Sequence, residues 1–92
     1  MEVLLDGRDM VSREAVHDLL TAKLKMPDYY GRNLDALYDA LGAYPEHVAI
    51  TLVHAEAALS NLGNYAKSLI KTFEDASAAF SCIDFFISNE II

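Results

Sequence analysis

Three short apolar runs, Val3-Leu4-Leu5, Val48-Ala49-Ile50-Thr51-Leu52-Val53 and Cys82-Ile83-Asp84-Phe85-Phe86-Ile87-Ser88, alternate with stretches whose apolar residues recur every three to four positions. The runs are largely β-branched or aromatic, and turn residues bound them: Asp6-Gly7 closes the first and Pro45 precedes the second. They predict strands, and their near-continuous apolar character suits strands covered on both faces, as in a parallel sheet. Ser12 is placed to cap a helix carrying Val16, Leu19, Leu20 and Leu24, with Pro27 at or beyond its end. Asn33 can cap a second, short helix with Leu34, Leu37, Tyr38 and Leu41 on one side and Gly42 as its stop. Ala55, Ala58, Leu59 and Leu62 predict a third helix, closed by Gly63 and followed by a possible cap at Asn64. Ala66, Leu69, Ile70, Phe73 and Phe80 fall on one face of a fourth. Crossovers of this length let successive strands run parallel, so the expected fold class is α/β: a three-stranded parallel sheet with about four helices.

The chain of 92 residues contains no linker, repeat or low-complexity tract, and a single domain over residues 1–92 is expected, burying roughly two thirds of its unfolded surface. The apolar content of 53% is too well patterned for disorder, and no run is long enough to span a membrane. Met1-Glu2-Val3-Leu4-Leu5-Asp6 lacks the basic region and cleavage site of a leader, and it reads as a strand. The single cysteine, Cys82, has no intramolecular partner, so nothing calls for an oxidising compartment and the cytoplasm is expected. Cys82 itself reads as buried and inert. A net charge of −7, from 14 acidic and 7 basic residues, disfavours nucleic acid and anionic lipid as partners and favours a cationic surface.

That charge gains a location in Pro27-Asp28-Tyr29-Tyr30-Gly31-Arg32-Asn33-Leu34-Asp35-Ala36-Leu37-Tyr38-Asp39-Ala40-Leu41. Asp35 and Asp39, four apart, share one helix face and repel, at a cost of about 0.2–0.5 kcal/mol. The helix dipole favours Asp35 in the first turn; it disfavours Asp39 in the last, so local helix physics leaves Asp39 unexplained. With Leu34, Leu37 and Leu41 facing the core, Tyr38 lies at the margin and the two aspartates form a strip beside it. Tyrosines around carboxylates suit a binding surface for a basic partner; taken singly, Tyr30 and Tyr38 read first as half-packed rings whose hydroxyls reach water, so it is the cluster that points to a surface. Gly31 serves either an unusual backbone angle or a close approach.

This segment resembles the signature of the barstar family, intracellular inhibitors of the bacterial ribonuclease barnase, and the order of elements is similar from end to end. The resemblance implies that Tyr29, Gly31, Asn33, Asp35, Ala36, Tyr38 and Asp39 lie at an inhibitory surface, with Asp39 filling a phosphate subsite of the nuclease. Barstar is a standard example of a charged interface hot spot, so the rank of Asp39 comes from the family. Phe73-Glu74-Asp75-Ala76 resembles a second acidic site of the family; Asp75 matches by position, with a shorter side chain than the family's glutamate, and Glu74 could substitute. Tyr38 stands where a tryptophan is typical. Gly42-Ala43-Tyr44-Pro45-Glu46-His47 differs in spacing, leaving Tyr44 and Glu46 as candidate rim contacts.

The function implied is occlusion of a basic, extracellular-type, guanyl-specific ribonuclease, an immunity or antitoxin role, by a protein that is a monomer when free. The alternative is a module of the same fold for another basic protein or toxin. An enzyme would need Asp35 and Asp39 as an acid/base pair, or joined with His47 and His54 around a metal. The histidines fall in a loop and at a strand end without ligand-like spacing, and no glycine loop cradles phosphate, so no catalytic residue, metal or cofactor is expected. His17 reads as a surface residue.

Overall fold

The structure, a computed structural model, describes residues 1–88; residues 89–92 of the expected domain lie outside the described residues. The elements are β1 (Glu2–Asp6), α1 (Arg13–Leu24), α2 (Leu34–Gly42), β2 (Val48–Val53), α3 (Ala55–Leu62), α4 (Asn64–Ala79) and β3 (Ile83–Ser88), with a 3-10 turn at Gly7–Asp9. The described strands form one parallel sheet in the order β1-β2-β3, with Val3 opposite Ile50 and Ile50 opposite Phe85. The α/β class, the parallel sheet and the helices agree with the pattern of the sequence. β3 starts at Ile83, leaving Cys82 half-buried just outside it.

The register puts Val3, Leu5, Val48, Ile50, Leu52 and Ile83 on one face, where they join Val16, Leu20, Leu24, Leu37, Leu41, Leu69 and Phe73 from the helices in a single core. Leu5, Leu20, Leu37, Ile50 and Phe73 are fully buried. The expectation of a sheet covered on both faces is wrong. Leu4 is 44% exposed and Phe86 54% exposed, and with Thr51 they form a row across the other face. Apolar residues at these outward positions hide the alternation that marks a half-open sheet.

Ser12 caps α1 by accepting from the Ala15 amide at 3.1 Å, and the helix ends at Lys25 in the left-handed region, with Pro27 beyond. Asn64 is not the cap of α4. Gly63, at φ 58°, holds that position without a side-chain bond, and its freedom at positive φ turns the chain between α3 and α4. Phe80 lies one residue past α4 in extended backbone, yet its ring returns to pack on Tyr38. Gly42 is the last residue of α2, and a Cβ there would lie 2.7 Å from Cζ of Phe80, so the glycine admits that ring. Only Ala58 of α3 is fully buried, and Leu59 is exposed.

Gly7 shows how tightly β1 joins α3. A Cβ on Gly7 would run into the His54 carbonyl oxygen and meet the Ala58 amide nitrogen at 3.2 Å, both of them backbone atoms. Gly7→Ala is therefore expected to lower the unfolding free energy by about 1–3 kcal/mol. Urea denaturation measures this, and wild-type stability in the variant would contradict the approach. The neighbouring Asp6 accepts from the Arg8 side chain, as close as 2.7 Å, and from its amide; this pairing holds the carboxyl down at about 2.

Candidate functional site

The loop between α1 and α2 leaves the core at Met26, makes a turn closed by the Tyr30 amide donating to the Pro27 carbonyl at 2.9 Å, and enters α2 through Asn33. Asn33 is the N-cap: its Oδ1 accepts from the Ala36 amide at 2.7 Å. Gly31 serves a close approach, because a Cβ there would lie 3.1 Å from that of Ala36. The left-handed residue is instead Arg32, at φ 56°. Its guanidinium holds the bend, donating to Asp18 at 2.7 Å and to the Glu14 carbonyl at 3.3 Å.

Loop and helix enclose a groove of about 550 Å³. Of the residues expected at a binding surface, Tyr29, Gly31, Ala36, Asp39 and Tyr44 line it. Tyr29 is 88% exposed, an aromatic ring held in water by the turn beneath it. Asp35 and Asp39 are both exposed on α2 and, among the described residues, neither has an ion-pair partner. Tyr38 lies half-buried between them and the core, its ring 5.0 Å from that of Phe80.

The other expected residues are placed differently. Tyr44 is a wall of the groove: its hydroxyl donates to the Leu24 carbonyl at 2.8 Å, and burial, with Glu46 nearby, pushes that hydroxyl above its ordinary range. Glu46 is exposed beyond it, 4.0 Å from the terminal amino group. Asp75, on α4, pairs with Lys71 at 3.3 Å. Glu74 lines a separate hollow against β3 with Ser77, Ala78, Phe85 and Ile87, about 100° around the helix from Asp75.

His17 is not a surface residue. It is 2% exposed, with Nδ1 2.8 Å from the Tyr30 hydroxyl and Nε2 2.6 Å from the Tyr65 hydroxyl. The Tyr30 hydroxyl thus reaches an imidazole rather than water, and burial, with Tyr65 beside it, pushes it up to about 12. The signal was present: His17, Leu20 and Leu24 are spaced i, i+3, i+7, which puts the imidazole on the buried stripe of α1. Lys25, Met26, Ala40, Ala43 and Pro45, which also line the groove, had no such signal, because they meet only when the loop folds onto α2.

Among the described residues, no group of three or more His, Cys, Asp or Glu could hold a metal ion, and no helix is long and apolar enough to cross a membrane. Residues 1–87 match the family described as Barstar (barnase inhibitor). The chain is also 43% identical over 77 residues to a Bacillus subtilis (strain 168) protein named "Putative ribonuclease inhibitor YrdF", an alignment covering 82% of this chain and 84% of the relative. Fold, loop and sequence agree, and the chain belongs to the barstar family, a family of barnase inhibitors rather than enzymes.

Proposed function

We propose that this chain inhibits a basic, guanyl-specific ribonuclease of the barnase type by laying α2 and the preceding loop over its active site. The observation that carries this reading is the placement of Asp39: an exposed carboxylate without an ion-pair partner among the described residues, on the wall of a groove whose other walls are largely apolar and aromatic. Such a site offers negative charge where the nuclease's cationic side chains would hold RNA phosphates, with Tyr29 as an exposed anchor beside it. Gly31, Asn33, Asp35, Ala36 and Tyr38 belong to the same surface, Tyr44 and Glu46 are its rim contacts, and Asp75 on α4 is its second acidic contact. The net charge of −7 steers a basic partner toward it.

No bond is broken, and the bound nuclease is simply denied its substrate. Titrating the chain into a microbial guanyl-specific ribonuclease is expected to abolish RNA cleavage near one equivalent, with association slowed by added salt. Finding neither inhibition nor salt-sensitive association overturns the reading. A second reading, a different basic protein or toxin as target, draws on two departures: Asp75 is occupied by Lys71, and the Tyr44 hydroxyl is turned inward to Leu24. Recovery of a basic partner other than a ribonuclease by co-purification would favour it.

A further inference from the structure

We propose that His17 and Tyr65 are positioning residues for the inhibitory loop: the relay Tyr30–His17–Tyr65 locks that loop against α1 and α4, and protonation of the imidazole loosens the lock and weakens partner binding. The effect on binding rests on the reading in the preceding subsection; the effect on the loop does not. Tyr30 lies between Tyr29 and Gly31, so whatever fixes its ring fixes both neighbours. The imidazole lies 5.7 Å from the ring of Tyr30 and 6.3 Å from that of Tyr65, and Arg13 covers Tyr65 with its guanidinium 4.5 Å from the ring centre. Three segments distant in sequence, α1, the loop and the first turn of α4, thus meet on one side chain.

A neutral imidazole has one donor and one acceptor nitrogen, so one tyrosine donates to His17 and the other accepts from it. Neither hydroxyl has another hydrogen-bond partner among the described residues. An imidazolium donates from both nitrogens, and the tyrosine that had donated must turn its proton away into the packed site. The charged groups acting on the ring are Arg32 from the loop and Asp18 from α1, while the loop and α4 bring the hydroxyls of Tyr30 and Tyr65. Burial first, then Arg32, holds the imidazole below its ordinary value of 6.5, against Asp18. The unfolded chain therefore takes the proton first, and the stability His17 contributes is in place above about 6.5 and lost as pH falls toward the folded value. A cationic partner over the loop removes water and adds positive charge. Both oppose the imidazolium further, so by linkage acid opposes binding.

Tyr65→Phe removes one hydroxyl on α4 without altering the loop or α2. It is expected to weaken binding to the microbial ribonuclease about two- to tenfold and to speed exchange of the Tyr30 amide, which donates to Pro27, by a similar factor in the free chain. His17→Gln supplies the pH test. As pH falls from about 7.5 through the lowered value of the folded imidazole, the wild-type affinity should fall progressively relative to that variant, measured against the same nuclease so that the enzyme's own titrations cancel. Parallel pH curves, or wild-type affinity and amide exchange in Tyr65→Phe, overturn the relay. If the chain inhibits no ribonuclease, the preceding reading fails, while the Tyr30 amide still decides: faster exchange in Tyr65→Phe supports the relay and unchanged exchange overturns it.

Discussion

Asp39→Ala is expected to weaken binding to the target ribonuclease by about 30-fold to several thousand-fold, corresponding to about 2–5 kcal/mol, while Glu2→Ala changes it by no more than about twofold. Both substitutions remove one negative charge from a chain of net charge −7, so whole-protein steering falls equally. They differ in where that charge sits. Asp39 is on the groove wall, where a partner's cations would be buried against it, and truncation leaves those cations desolvated and unpaired. Glu2 begins β1 on the outward side of the sheet and would stay solvated in the complex. Asp39→Asn keeps the shape and removes only the charge; it should lie close to Asp39→Ala if electrostatics dominate. Dissociation constants at two salt concentrations test the ranking: rim charge alters mainly the association rate, whereas Asp39 should alter dissociation. Equal effects of Asp39→Ala and Glu2→Ala would reject this surface as the binding site.

The helices were legible because helix physics is local. Ser12 and Asn33 each accept from the amide three residues on, and the spacing of Leu34, Leu37 and Leu41 needs no knowledge of what α2 packs against. The aspartate strip followed from the same geometry, since Asp35 and Asp39 are on the face that this stripe leaves over. Their role came from the family, because periodicity says where a carboxylate points and not what it meets. Long-range features were hidden for a corresponding reason. Spacing puts His17 on the buried stripe of α1, but the hydroxyls 13 and 48 residues away that make it tolerable there carry no mark in sequence. Gly42 is the last residue of α2, as its place in the sequence suggests, but the ring of Phe80 that it admits from another element left no mark. The open sheet face was concealed by Leu4 and Phe86, whose hydrophobicity says nothing about cover.

Phe73→Ala should show the opposite pattern to Asp39→Ala, with a large loss of stability and little loss of intrinsic affinity. Phe73 is fully buried on α4 and stacks on Phe85 of β3, ring centres 5.0 Å apart and planes 11° from parallel, so one side chain joins the last helix to the last strand. Truncation removes its transfer free energy and leaves a cavity, at a cost of about 3–5 kcal/mol. A domain of this size has only about 5–15 kcal/mol to lose, so the urea midpoint should fall steeply with the slope nearly unchanged. The groove is built by α2 and its loop, outside this contact, and the folded fraction should bind within a fewfold of wild type. Saturating ribonuclease at about 1,000 times the dissociation constant adds about 4 kcal/mol to the folded state, enough to restore most of what Phe73→Ala loses. At the same ribonuclease concentration Asp39→Ala gains much less, because its dissociation constant is the quantity that has changed. Unfolding both variants with and without ribonuclease separates the residue that holds the fold from the residue that meets the partner. A Phe73→Ala loss under about 1 kcal/mol would mean that the core is not centred on this stack.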